Sequence, residues 1–420
     1  MMNHRQRAEA ISAATADRLA SPAIAQQLGL PQGWHPQSLA YGAAGIALLH
    51  IERARAGLGP WQRAHDWLTC AAGDGVVTGP DSHLHYGAPA LAVALHAAAD
   101  RPGRYARALD KLDRHIAVST CHRLESAHAR MDKAVELPAL SEFDAIRGLS
   151  GIGAYLLRRE PHGELLRDVL VYLVRLTEPV RSDGDSLPGW WSDQAPSGRM
   201  SPDYPGGHAN NGMAHGIVGP LALLALSALA DVRVDGQAEA IGVICSWLDR
   251  WRQEGTTGSW WPALITRAQL RGEQVLATGP SRPSWCYGTA GHARSQQLAA
   301  LATGDLTRQR MSEAALAGAL SDPAQLAATT DKSLCHGYAG LAHIAGRAAA
   351  DALTPDIGAR VPQLLDAIGV DPGALIPSAT QSKGGDIGLL EGAAGVALAL
   401  HTIAAGTSSP SGWDTFLLIS

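Results

Sequence analysis

Seven times along this chain a glycine, usually followed three residues later by a second glycine or by Pro-Ala, opens an apolar run of helical length. In chain order the segments are YGAAGIALLHI from Tyr41, YGAPALAVALH from Tyr86, RGLSGIGAYLL from Arg147 and HGIVGPLALLAL from His215. YGTAGHARSQQL from Tyr287, HGYAGLAHIAG from His336 and EGAAGVALALH from Glu391 complete the set. The first glycines lie at 42, 87, 148, 216, 288, 337 and 392, so the intervals run from 45 to 72 residues. Each interval has room for the helix opened by the glycine turn and for a return helix. Tyr105–His115, Glu164–Leu176, Gln237–Trp251, Leu306–Leu320 and Val361–Ile368 show the mixed apolar and charged periodicity such return helices need. Strand signals are weak throughout. Repeated helix pairs stack into an open solenoid or close into a ring. Seven identical entries favour closure, because the motif residues then converge on one mouth of a barrel. The expected fold is all-α: an α/α barrel (toroid) of seven inner and seven outer helices in one domain spanning 1–420, with an open solenoid as the alternative.

Two stretches break this rhythm. Residues 101–140, with DRHIAVSTCHRLESAHARMD, are expected to hold a small insertion. Ser182–Asn211, rich in Gly, Pro, Ser and Asp, reads as a long loop of the kind that is often functional.

Composition narrows the function classes. With 46% hydrophobic and 17% charged residues the chain can build a large core. A formal net charge of −5 gives no electrostatic footprint for nucleic acid or an anionic membrane surface. The longest apolar run, Gly219 to Ala230, is about half the ~20 residues of a membrane span. The N-terminal stretch MMNHRQRAEAISAATADRL is charged and amphipathic, unlike a signal peptide. A cytoplasmic location is expected, with association in a membrane-bound biosynthetic complex as a further option. Five widely spread cysteines form a poor disulfide framework, which turns attention to thiol and metal chemistry.

Aligning the motifs on their first glycine exposes where that chemistry gathers. Immediately before the glycine stand Tyr41, Tyr86, Arg147, His215, Tyr287, His336 and Glu391; one residue earlier stand Ala40, His85, Ile146, Ala214, Cys286, Cys335 and Leu390. Repetition alone would fill these slots with small or apolar residues. Cys286, Cys335 and His336 are the sharpest subset. Two thiolates and an imidazole satisfy zinc, and three protein ligands leave a fourth tetrahedral position open, as in catalytic sites. The competing explanation makes both cysteines small buried hydrophobes and His336 a core histidine. Neighbouring slots at equivalent repeat positions weigh against it.

Other candidates are weaker. His83 and His85 look like chelators but lack a third ligand in sequence. Cys121–His122 mimics Cys335–His336 without a following glycine motif. The pairs Trp190–Trp191 and Trp260–Trp261 serve either as core and loop anchors or as the lining of a peptide groove, and their Pro/Gly-rich settings point to partial exposure.

In NNGMAHGIVG, SWCYGTAG and SLCHGYAG, and in the seven glycine motifs as a whole, the chain resembles the lanthionine synthetase C-like cyclases of the stand-alone class I type. The resemblance implies an α/α barrel and one zinc per chain, held by Cys286, Cys335 and His336 and binding the substrate thiol. It further implies a catalytic histidine at His215, a catalytic aspartate at Asp144 in FDAIRGLSG, and an arginine and a tyrosine at Arg282 and Tyr287 in RPSWCYG.

The chemistry such enzymes perform asks for these groups. A free thiol with a pKa near 8.5 is only about 3% thiolate at pH 7, and coordination to zinc deprotonates it. Addition to the β-carbon of dehydroalanine or dehydrobutyrine leaves an enolate whose α-carbon must be protonated. His215 suits the acid, the base or both, and Arg282 suits the enolate oxygen. Asp144 orients His215 or Arg282, or forms a structural ion pair with Arg282; Tyr287 serves catalysis or packing. The expected activity is Michael-type closure of thioether rings in a dehydrated precursor peptide with its leader. A separate dehydratase is the expected partner, because only about forty residues precede the barrel. Two alternatives stand beside it. One is addition of glutathione to dehydroamino acids by the same zinc site, and the other is a zinc-stabilised peptide-binding scaffold without catalysis. For the leader, residues 101–140 are a candidate location.

Overall fold

The computed structural model describes residues 3–28, 30, 33–133, 136–276, 279–369, 387–406 and 409–420. Each glycine motif opens a helix, as its spacing predicts. These motif helices are Ala43–Arg55, Ala88–Ala98, Leu149–Arg159, Val218–Leu229, Thr289–Thr303, Tyr338–Asp351 and Ala393–Ala405. The fifth motif shows why glycine is needed. A Cβ on Gly288 would run into the backbone nitrogen of Ser284, and one on Gly291 into the carbonyl oxygen of Trp285. The turn thus folds back onto its own helix too closely for any side chain.

Motif helices are apolar nearly all round, which fits elements covered on every side. In Ala393–Ala405 every residue from Ala393 to Thr402 is buried. The helix Thr289–Thr303 carries polar residues inward, and they are paired. Arg294 Nε donates to the carbonyl of Ile419 at 2.9 Å, and Gln297 Nε2 donates to Glu313 Oε1 at 2.9 Å.

The chain divides into two compact units. The first comprises Met1–Ile116 and Thr329–Asp414. Within it the return helix Trp61–Ala72 packs on Ala43–Arg55 through Ala64, Trp67, Leu68 and Ala71, a stripe at helical spacing. Val361–Ile368 packs likewise on Tyr338–Asp351. Among the described residues, no return helix follows the seventh motif helix. Its place is taken by the N-terminal helix His4–Arg18, which lies on Ala393–Ala405 and is fixed by Glu9, paired with Arg53 at 2.8 Å and with His401 at 3.1 Å.

The second unit comprises Ala117–Ala328 and Thr415–Ser420. Its motif helices Leu149–Arg159, Val218–Leu229 and Thr289–Thr303 carry the return helices Glu164–Arg175, Gln237–Trp251 and Leu306–Ala319. Between motifs, Trp285 Nε1 donates to the carbonyl of Leu417 and so ties down the C-terminal residues.

Where an insertion is expected at 101–140, the chain forms one 28-residue helix, Ala106–Lys133, followed by the short helix Leu140–Phe143; residues 134 and 135 lie outside the described residues. Leu109, Leu112, Ile116, Thr120, Leu124 and Ala127 form its buried stripe. Their three- and four-residue spacing is helical, but charged residues crowd every other face and mask it. The segment Ser182–Asn211 holds more order than a loop. Val180–Ser182 pairs with Asp185–Leu187 across a tight turn in which Asp183 and Gly184 both have positive φ. His208–Asn210 pairs antiparallel with Leu264–Thr266 and leads directly into the fourth motif.

Candidate active site

Backbone hydrogen bonds join successive motif turns. In the second unit the N–H of Ala145 donates to the carbonyl of Ala214 at 3.1 Å. The N–H groups of Met213 and Ala214 both donate to the carbonyl of Cys286, at 2.9 and 3.2 Å. In the first unit the pairs are Leu39 to His85, Cys335 to Leu390, and Leu389 to Ala40. Every acceptor sits two residues before a motif glycine. The register that repeats in the sequence is therefore a register of hydrogen bonds, and it fixes where the side chains at the two slots before each glycine emerge.

His215 and Asp144 meet in the second unit. His215 Nδ1 lies 2.6 Å from Asp144 Oδ2, with the histidine side chain one-third exposed and the aspartate buried. The other carboxylate oxygen, Oδ1, accepts from the N–H groups of Ile146, Arg147 and Gly148 at 3.1, 2.6 and 2.7 Å. Asp144 thus satisfies donors at the entry of the helix Leu149–Arg159 and orients the imidazole. Of the partners considered from the sequence, His215 is one that the carboxylate contacts. With Nδ1–H donating to Asp144, Nε2 remains as the basic nitrogen.

Tyr287 stands beside this pair, its ring centroid 6.4 Å from that of His215. Its hydroxyl lies 3.4 Å from Asn210 Nδ2, while Asn210 Oδ1 accepts from the N–H of Gly212 at 2.9 Å. Asn210 was not singled out by pattern, although it stands next to the glycine motif in ANNGMAHG. Arg282 is half-buried at the start of the Cys286 turn, where its carbonyl accepts from the N–H of Ser284.

Cys286 is buried, and its sulfur lies 3.5 Å from Ser284 Oγ. In the first unit, Cys335 and His336 are half-buried. His336 Nε2 lies 3.2 Å from Asp331 Oδ2, and Asp331 Oδ1 accepts from the N–H of Ser333 at 2.8 Å. Burial alone would raise the Asp331 carboxyl, but the hydrogen bonds from His336 and Ser333 outweigh it and hold the group well below the usual carboxylate range. Asp331 is a residue that sequence reasoning missed; DKSLCHGYAG contains it, yet no spacing rule links it to His336. Among the described residues, the candidate metal ligands are Cys286 in the second unit and Cys335 and His336 in the first. A carboxylate behind a ligating imidazole is the usual support for such a centre.

Other sequence candidates stand elsewhere. Cys121 and His122 are exposed on the helix Ala106–Lys133, with His122 3.5 Å from Glu125. His83 and His85 lie in the second motif turn, where the N–H of His85 is 3.3 Å from His83 Nδ1. The tryptophan pairs, expected to be partly exposed, are all buried. Trp191 Nε1 donates to Gly206 and Trp261 Nε1 to Leu248, and Trp190 packs edge-on against Trp247. Gly/Pro-rich segments fold over these rings rather than presenting them.

A family model described as lanthionine synthetase C-like protein matches residues 33–418. The nisin biosynthesis protein NisC of Lactococcus lactis subsp. lactis is 24% identical over 273 residues, which is 64% of this chain and 62% of that relative. The chain thus matches less than two thirds of that relative's length. The solved structure of nisin cyclase shares 22% identity with a TM-score of 0.75, over 91% of this chain and 92% of that one. That likeness shows the fold, the all-α α/α barrel expected from the seven motifs. Among the described residues no helix is long and apolar enough to cross a membrane.

Proposed function

Since the chain belongs to the lanthionine synthetase C-like family, we propose that it is a zinc-dependent lanthipeptide cyclase. It forms lanthionine and methyllanthionine by adding precursor-peptide cysteine thiols to dehydroalanine and dehydrobutyrine. What supports this reading is that the chain holds both a zinc-type donor set, Cys286, Cys335 and His336, and, in the second unit, a histidine held by a buried carboxylate. A scaffold that bound peptides without chemistry would need the first and not the second.

The donor set fits zinc: two sulfurs and one imidazole nitrogen, with one tetrahedral position left for a substrate. Zinc bound by Cys286, Cys335 and His336 would supply the charge that makes an incoming thiol react as thiolate. Nε2 of His215 takes the thiol proton. As the C–S bond forms at the β-carbon, the π electrons of the dehydroamino acid move toward its carbonyl oxygen. Nε2–H then returns a proton to the α-carbon, so the sum is addition of S–H across one double bond. Asp144 holds the imidazole in one orientation through both transfers and compensates its positive charge between them. Arg282 is assigned to the developing enolate oxygen, where a fixed cation lowers the barrier. Tyr287, braced by Asn210, bounds the space beside the imidazole. Because the reaction consumes dehydroamino acids, a separate dehydratase is assigned to the preceding step.

The test is zinc content of the purified protein beside Cys286→Ala, followed by ring closure on a dehydrated peptide. One zinc per chain, lost in the variant together with thiol consumption, is the expected result. A folded wild-type protein that takes up no zinc would overturn the mechanism.

A further inference from the structure

From Ala117 onward the helix Ala106–Lys133 belongs to the second unit, and its buried stripe there is Thr120, Leu124 and Ala127. Arg123 stands three residues after Thr120 and four before Ala127, and Arg130 stands three after Ala127. Both arginines therefore fall on the packed side of the helix, two turns apart.

They reach the third motif turn on either side of Asp144. Arg130 pairs with both oxygens of Glu142, Nη2 to Oε1 at 2.7 Å and Nε to Oε2 at 2.9 Å. The Tyr172 hydroxyl donates to the same carboxylate at 2.8 Å. Glu142 stands two residues before Asp144. Three residues after Asp144, the carbonyl of Arg147 accepts from Arg123 Nη1 at 2.6 Å. The N–H of that same Arg147 donates to Asp144 Oδ1 at 2.6 Å, and Asp144 Oδ2 meets His215. Arg123 is thus two contacts from the carboxylate that orients the imidazole. It also lies within electrostatic reach of it. Burial pushes the Arg123 guanidinium down, the Asp144 carboxylate draws it back up, and Arg147 adds to the fall.

We propose that Arg123 is a positioning residue for the reaction: it fixes the turn that aims Asp144 at His215, and its charge offsets part of the carboxylate's, so that the imidazole gives up its proton as readily as it takes one. The idea rests on the cyclase reading for what His215 does. Besides Arg123, the charged and titratable groups about the pair are Arg147 on the turn itself and Arg282 and Tyr287 on the fifth motif turn, which is bonded to the fourth; Glu142 is taken up by Arg130 and Tyr172. Removing the Arg123 cation leaves Asp144 more fully negative toward His215, which favours imidazolium and raises the pH at which the ring loses its proton.

The test is a pH titration of His215 in the full-length protein as purified, labelled with ¹³C at histidine and followed by NMR; the His215 signal is the one missing from His215→Gln. Arg123→Gln should raise its midpoint by at least about 0.5 pH unit. Arg123→Met, which keeps the apolar stem, should do the same and carries the test if the glutamine variant does not fold. Arg123→Lys should bring the midpoint at least halfway back to wild type. On a dehydrated peptide, the acid limb of the rate profile should move upward with the titration. A smaller rise or a fall in the charge-removing variants overturns the proposal, as does a lysine variant shifted as far as the others, since Arg123 would then only brace the turn. The titration needs no substrate: wild-type protein that closes no rings would count against the cyclase reading, while the midpoints still decide the role of Arg123.

Discussion

His215 Nδ1 lies 2.6 Å from Asp144 Oδ2, and the second oxygen of the same carboxylate caps the three N–H groups that precede the helix Leu149–Arg159. One buried group thus secures both a helix entry and the tautomer of an imidazole 71 residues away. The two roles separate on substitution. Asp144→Asn keeps an oxygen for the backbone donors but turns an N–H₂ toward Nδ1, which forces the imidazole proton onto Nε2. Ring closure should slow by about 10²–10⁴-fold, by analogy with other base-orienting carboxylates, with zinc content unchanged. Mass-spectrometric counting of unreacted thiols reads the rate, and a wild-type rate would remove His215 as the proton carrier. Asp144→Ala also loses the cap and should cost a further ~1–2 kcal/mol of stability.

Asp331 is expected to matter through metal affinity. Its carboxylate fixes the ring of His336, and Asp331→Asn should weaken zinc binding by about 10–100-fold, as is usual for such supporting groups. Competition against a chromogenic chelator measures it. An unchanged dissociation constant would reduce Asp331 to a turn residue serving Ser333.

The N-terminal helix His4–Arg18 completes the layer over Ala393–Ala405, so its core contacts carry real stability. Ile11 is buried there at 4% exposure. Ile11→Ala should destabilise by about 2–4 kcal/mol, read as a lower urea midpoint with little change in slope. A shift within about 0.5 kcal/mol, the size of a surface effect, would mean the helix packs only loosely in solution.

Acid should weaken the fold before carboxylates protonate. Burial pushes His50 and His292 down to about 4. In the unfolded chain a histidine titrates near 6.5, so between about pH 6.5 and 4 the unfolded state binds the extra protons and stability falls as pH falls. Each histidine contributes up to about 3 kcal/mol across that window. Denaturation at pH 7.5, 6 and 5 should show the decline, and His292→Gln should flatten it. Equal stability at pH 7.5 and 5 contradicts this account.

Much of the molecule was legible from its sequence because the glycine motif is a local device. The steric closure of the turn at Gly288 and Gly291 depends on residues within seven positions, so the same pattern could be recognised seven times without knowing the fold. The slots it defines singled out Cys286, Cys335 and His336, whereas the role expected of His215 came from the family resemblance. The return helices were legible wherever their apolar stripe stood clear, as in Gln237–Trp251, which has the predicted bounds. In Ala106–Lys133 the stripe was present but buried among charges, and periodicity alone did not separate it from an irregular insertion.

The tertiary structure decided which groups became partners. Asp144 meets His215 because the turns of the third and fourth motifs are joined at Ala145 and Ala214, a relation carried by backbone bonds that leave no mark on residue identity. Asp331 reaches His336 through the shape of a single turn, and the chain's first helix packs on its last motif helix, a contact between the two ends of the sequence. The tryptophan pairs, read either as core and loop anchors or as the lining of a groove, proved to be buried anchors, and only their pattern-based partial exposure failed, because burial is set by what folds over a ring. Glycine sterics act within a few residues and can be read from order alone. Hydrogen-bond partners and burial depend on distances between motifs, which only the packed helices define.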